Sequence, residues 1–233
     1  MAARSLAALG IDLGKNLAPP MPGNPKGFFE DMAFVRIHIA LLNSLGLKWH
    51  SLEEISPEPL TDAASGEFGE RARNLLQRRM SLYSSFGFKD PRLCRLLPFW
   101  RAIVDRITGD VGCVVVARNP MAVAHSLTRR NNFSLEHGVE LWHLHMKPLV
   151  GPIHAGWRKI TVEYDRLLEQ PEEQLHRIAS ALNLVPPQRL AVETFCNEFI
   201  NVSLRHNLAG IIHAAPLHVR RTWDELQRQS LLN

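Results

Sequence analysis

The chain has 233 residues, 45% of them hydrophobic and 21% charged, with a net charge of +4 and a pI near 9.2. That balance describes a globular protein able to bury a substantial core; its mild basic excess suits an anionic ligand but lacks the clustered charge of a nucleic-acid binder. No apolar run approaches the ~20 residues of a bilayer span, residues 1–9 lack a signal-peptide core, and Cys94, Cys113 and Cys196 show neither metal nor disulfide spacing, so the default location is cytoplasmic.

Residues 2–9 form helices readily, and Gly10 is a natural stop. Residues 11–31, rich in Gly, Pro and Asn, read as an ordered loop ending in Glu30 and Asp31. Either carboxylate can take a proton from a hydroxyl within hydrogen-bond reach. Both can equally serve to start the next helix, favoured by its dipole. That helix, 32–45, repeats Met32, Val35, Ile39 and Leu42 at helical spacing, with His38 as an interior histidine. Residues 50–66 read as a proline-bearing loop, and 69–82 as an amphipathic helix with its arginines on a solvated face. A short strand then reaches Lys89, and 93–107 returns to helix.

Residues 111–116 (VGCVVV) form the central strand, a β-branched apolar run suited to burial on both faces. Arg118 leaves its carboxyl end, Asn119 caps a helix and Pro120 occupies the first helical position. This geometry predicts a ligand outside the strand, beside exposed helix N–H groups. Ser126 lies two turns on, about 9 Å along the axis, so it and Arg118 can meet one phosphate. Alternatively, Arg118 merely leaves the strand and Ser126 is a small packing residue. Within the next helix, 135–149, His137, His143 and His145 do not stack on one face, which predicts no metal, and Trp142 packs. A strand over 159–162, a helix over 167–184 and a terminal helix over 215–232 with Trp223 inward complete the chain. The βα alternation predicts one α/β domain over 1–233: a P-loop-NTPase-like, doubly wound parallel sheet flanked by helices, with right-handed crossovers.

Arg118-Asn119-Pro120, Ala122-Val123-Ala124 and Ser126-Leu127 together resemble the 3′-phosphate-binding segment of sulfotransferases that use 3′-phosphoadenosine-5′-phosphosulfate (PAPS). Residues 24–31 (NPKGFFED), the Lys89-Asp90-Pro91-Arg92 segment, Tyr164 with Leu167, Leu168 and Pro171, and Leu204-Arg205-His206-Asn207 resemble further segments of the same family, in its order. The resemblance implies sulfuryl transfer from PAPS to a hydroxyl or amine of a small molecule or glycan, with no metal and no nucleic-acid partner. It further implies that Arg118, Ser126 and Arg205 hold the 3′-phosphate and that Tyr164 flanks the adenine, unless that tyrosine only closes the core. Lys89 or Lys26 would offset sulfonate charge, and Glu30 or Asp90 would act as base, since Pro91 occupies the family's histidine position. Asp90 has a structural alternative, pairing with Arg92.

The family's first strand and 5′-phosphosulfate loop have no counterpart, so the expectation is a chain cut short before residue 1. The alternatives are a non-catalytic relative that kept the fold, and a nucleotide kinase or NTPase. The kinase would need a G-x-x-x-x-G-K-[ST] loop, which does not occur here.

Overall fold

A computed structural model describes residues 2–21, 24, 27–153, 156–200 and 212–232. The chain divides into two compact units, Gly10–Val111 and Met1–Leu9 with Gly112–Asn233.

In the Gly10–Val111 unit, α2 (Met32–Ser44) starts where the Asp31 carboxylate accepts the N–H of Ala33 at 2.9 Å. Its buried side carries Phe34, Val35, Ile37, His38, Leu41 and Leu42. Ile39, expected in the core, is 41% exposed; the buried stripe passes it through Ile37, His38, Leu41 and Leu42. Residues 50–66 are not all loop: α3 (Pro57–Ser65) occupies most of the span. Its prolines fall in the first turn, where the missing N–H has no helical partner to lose, and Leu60 and Ala64 are buried. Helix α4 (Glu67–Leu82) follows. Two of its arginines leave the expected solvated face: Arg73 donates to the Ala64 carbonyl at 3.1 Å, and Arg79 binds Asp31.

The expected strand before Lys89 is reduced to a single parallel bridge, Asp12 to Phe86. Its rings instead join the core, with Phe88 stacked on Phe34 at 4.1 Å and tilted against Trp100 at 4.9 Å. A 3₁₀ turn (Pro91–Cys94) separates it from α5 (Leu97–Val104), so the predicted 93–107 helix is shorter and begins later.

In the other unit, α1 (Ala2–Ala8) ends at Gly10, φ +79°, as expected. Strand β1 (Gly112–Ala117) pairs in parallel with β2 (Arg158–Glu163), from Gly112 opposite Arg158 to Ala117 opposite Glu163. Between them run α6 (Pro120–Asn131) and α7 (Leu135–Met146). These two helices approach so closely that a Cβ at Gly138 would stand 2.9 Å from Ala124 Cα; only glycine fits. The predicted 167–184 helix is broken into α8 (Tyr164–Glu169) and α9 (Pro171–Ala181), because Pro171 cannot continue the preceding turn. Helix α10 (Arg189–Phe199) follows, and α11 (Leu217–Leu232) turns Trp223 inward. The core gathers Leu9, Ile160, Val162, Leu167, Leu175, Ile178 and Phe195.

The fold is therefore mixed α/β with a small parallel sheet. Among the described residues that sheet has two strands, fewer than a doubly wound sheet contains. No described helix is long and apolar enough to cross a membrane.

Candidate functional site

The expected site residues fall into two groups, one in each unit, while Lys26 and Arg205 lie outside the described residues. In the Gly10–Val111 unit, residues 16–18 run beside 30–32. The Ala18 N–H donates to the Glu30 carbonyl at 2.8 Å and the Met32 N–H to the Asn16 carbonyl at 2.9 Å. Gly14 turns the chain into this pairing with φ +84°, and a Cβ there would sit 2.9 Å from Asp31 Oδ2. Phe29 has φ +54°, a conformation that costs a non-glycine residue free energy and tends to persist beside functional groups.

The two adjacent carboxylates then diverge. Asp31 is committed to structure: Oδ1 caps α2, and Oδ2 accepts Arg79 Nε and Nη2, each at 2.8 Å. Glu30 makes no cap. Its Oε1 accepts Lys89 Nζ at 2.6 Å, and among the described residues that ammonium is its side chain's one partner, leaving Oε2 open. Glu30 is nearly buried while Lys89 is one-third exposed, so the pair stands where burial gives way to water.

Asp90 is the opposite case. Oδ1 accepts the Arg92 backbone N–H at 2.9 Å and Arg92 Nη1 at 2.8 Å; Oδ2 accepts His38 Nδ1 at 2.8 Å and Arg92 Nη1 at 2.9 Å. These fill the roughly four lone-pair positions of a carboxylate. Trp100 Nε1, which can only donate, points at His38 Nε2 at 2.8 Å. His38 Nε2 must therefore be the acceptor, so the neutral imidazole carries its proton on Nδ1 and donates to Asp90. Burial pushes the Asp90 pKa up, but the hydrogen bonds from His38 and Arg92 and the Arg92 charge outweigh it and hold the group below the ordinary carboxylate range. The pairing with Arg92 named as the structural alternative for Asp90 is therefore present. His38 is interior as its helix pattern predicts, but its network is not legible along the chain, because its partners are 52 and 62 residues away.

In the other unit, the parallel register that sets Ala117 opposite Glu163 brings the next residues on each strand, Arg118 and Tyr164, to one edge. The Arg118 guanidinium carbon lies 4.5 Å from the Tyr164 ring centroid, a cation–π stack. Among the described residues this guanidinium meets no carboxylate and donates no hydrogen bond. The carbonyl of Arg118 accepts Trp142 Nε1 at 3.0 Å, tying the turn to α7. Ser126 is half-buried on α6, and its hydroxyl makes no hydrogen bond among the described residues.

The expectation of exposed N–H groups at the start of α6 needs correction. Asn119 Oδ1 accepts the N–H groups of Met121 and Ala122 at 2.9 and 3.3 Å, the Asn119 carbonyl takes that of Val123 at 3.1 Å, and Pro120 has none. An anion here would have to be held by side chains. Burial raises the pKa of Glu163, whose backbone adjoins this edge, with Arg166 opposing. Among the described residues no group of three His, Cys, Asp or Glu side chains is placed to hold a metal ion.

Over 153 residues the chain is 26% identical to a Caenorhabditis briggsae protein named "Putative protein-tyrosine sulfotransferase", a match covering 61% of this chain and 51% of that protein. The chain thus spans about half the length of the curated relative it matches. This similarity supports a sulfotransferase-like relationship. No family model and no solved structure matches the chain.

Proposed function

We propose that the chain is a PAPS-dependent sulfotransferase with a P-loop-NTPase-like, doubly wound core. The observation that carries the reading is the Arg118–Tyr164 stack: a guanidinium at a strand's carboxyl end, held by a ring 4.5 Å away and paired with no described carboxylate. A cation so placed suits a planar base beside a phosphate, because the ring offers a stacking face and the fork of N–H donors remains available.

When bound, PAPS would supply the sulfuryl group, and Arg118, Ser126 and Arg205 would hold its 3′-phosphate, with Tyr164 beside the adenine. Glu30 would accept the acceptor's proton on Oε2. Lys89 holds that carboxylate in place through Oε1 and would offset negative charge as the transfer proceeds, with Lys26 as a further cation. This is positioning and electrostatic stabilisation, which metal-free transfer between two oxygens requires. The acceptor is a hydroxyl or amine of a small molecule or glycan; the name of the similar nematode protein adds a tyrosyl hydroxyl to that class.

Calorimetric titration of the chain with 3′,5′-adenosine bisphosphate, beside Arg118→Ala, tests the reading. Saturable micromolar binding that the substitution abolishes supports it. No binding by a folded chain overturns it and leaves the non-catalytic alternative.

A further inference from the structure

A cavity of about 310 Å³ in the Gly10–Val111 unit is lined by Lys15, Asn16, Arg79, Leu82 and Tyr83. Lys15 and Asn16 come from the segment that pairs with 30–32. Arg79 and Leu82 come from the carboxyl-terminal turn of α4, and Tyr83 follows directly. Its donors are largely uncommitted. Among the described residues the Lys15 ammonium has no ion pair, and neither the Asn16 amide nor the Tyr83 hydroxyl has a hydrogen bond. Arg79 commits Nε and Nη2 to Asp31 Oδ2, leaving Nη1. Because Asp31 neutralises Arg79, the cavity carries one uncompensated positive charge, that of Lys15.

Its other wall is apolar. Leu82 is 60% exposed, a large side chain left to water at the cavity's rim. The Tyr83 ring is held flat against Phe86, with centroids 5.9 Å apart and planes at 16°, and so presents a fixed face. A volume at the lower end of the range for ligand pockets suits a single ring.

We propose that this cavity binds a small aromatic monoanion, its charged end held by Lys15, Asn16 and Arg79 and its ring against Leu82 and Tyr83. The cavity shares no lining residue with the Arg118–Tyr164 stack, and the proposal does not depend on the transfer reaction.

Amide chemical shifts of the full chain, titrated with sodium benzoate and in parallel with sodium sulfate, test it. Expected are saturable shifts for residues 14–17 and 79–83 with benzoate, and at least tenfold weaker binding of sulfate, which lacks a ring. Lys15→Gln removes one charge-assisted hydrogen bond and should weaken benzoate about tenfold. Tyr83→Phe should weaken it less, and Arg118→Ala should leave it unchanged. Lys15 is exposed, and an unchanged melting temperature for its variant confirms an intact fold. The proposal is overturned if benzoate gives no saturable response, if sulfate binds as tightly, if Lys15→Gln has no effect, or if Arg118→Ala abolishes the response.

Discussion

Asp90 and Arg118 both follow short extended runs, and both fall in segments that resemble sulfotransferase motifs, yet their surroundings differ. Asp90 accepts four hydrogen bonds and is buried. Arg118 has a tyrosine ring beside it and no described carboxylate. A charged residue at a strand's end thus announces only that a charge is there. What separates them is whether the fold fills the group's hydrogen-bonding positions, and in this respect Glu30, with Oε1 committed to Lys89 and Oε2 open, stands nearer to Arg118 than to Asp90.

The contrast can be broken most directly at Asp90. Asp90→Ala leaves the Arg92 cation and the His38 N–H without their acceptor in a buried setting, and should cost about 3–5 kcal/mol of stability in denaturant unfolding. A loss below about 1 kcal/mol would mean that the network is ornamental. Glu30→Gln keeps the shape but removes the proposed base, and should lower the proposed sulfuryl transfer about 10²–10⁴-fold while leaving the melting temperature nearly unchanged. If stability falls with activity, Glu30 belongs with Asp90 instead. Arg118→Ala removes only a half-buried cation–π contact, worth about 0.5–1 kcal/mol to folding, and under the proposed function should abolish nucleotide binding. Loss of stability comparable to that of Asp90→Ala would erase the distinction.

A smaller effect is expected with pH. The Asp90 pKa is lowered in the folded chain, so its stabilisation is fully present above the unfolded carboxylate value near 4 and is lost as pH falls through the lower folded value. Acid unfolding followed by circular dichroism should show this slope below about pH 4. Asp90→Asn, which cannot titrate, should flatten it.

What the sequence disclosed follows from how local each signal is. Strand β1, the Asn119 cap and Pro120 are written in consecutive residues and all three are present, although the strand starts one residue later than read and only Val115 and Ala117 of it are buried, not both faces. The interior position of His38 followed from its apolar neighbours on one helix. Partnership was not legible: nothing in the sequence distinguishes Glu30 from Asp31, whose opposite roles depend on whether Lys89 or Arg79 is brought near. The prolines of α3 misled because proline breaks a helix interior but starts one equally well. The strand before Lys89 was expected from its β-favouring phenylalanines, and those rings are instead taken up by stacking on Phe34 and Trp100.

The register of β1 on β2 carries one more consequence. Arg118 and Tyr164 each stand one residue beyond a paired strand whose inner positions, Val115, Ile160 and Val162 among them, are packed in the core. Slipping either strand by one residue would turn those side chains to the opposite face, so the spacing of the two edge residues is inherited from the interior and not set by a loop. Positions 118 and 164 can therefore be exchanged for other residue types without disturbing what holds them apart. Selection, in nature or in a library, can retune the chemistry of this edge while the scaffold stays fixed.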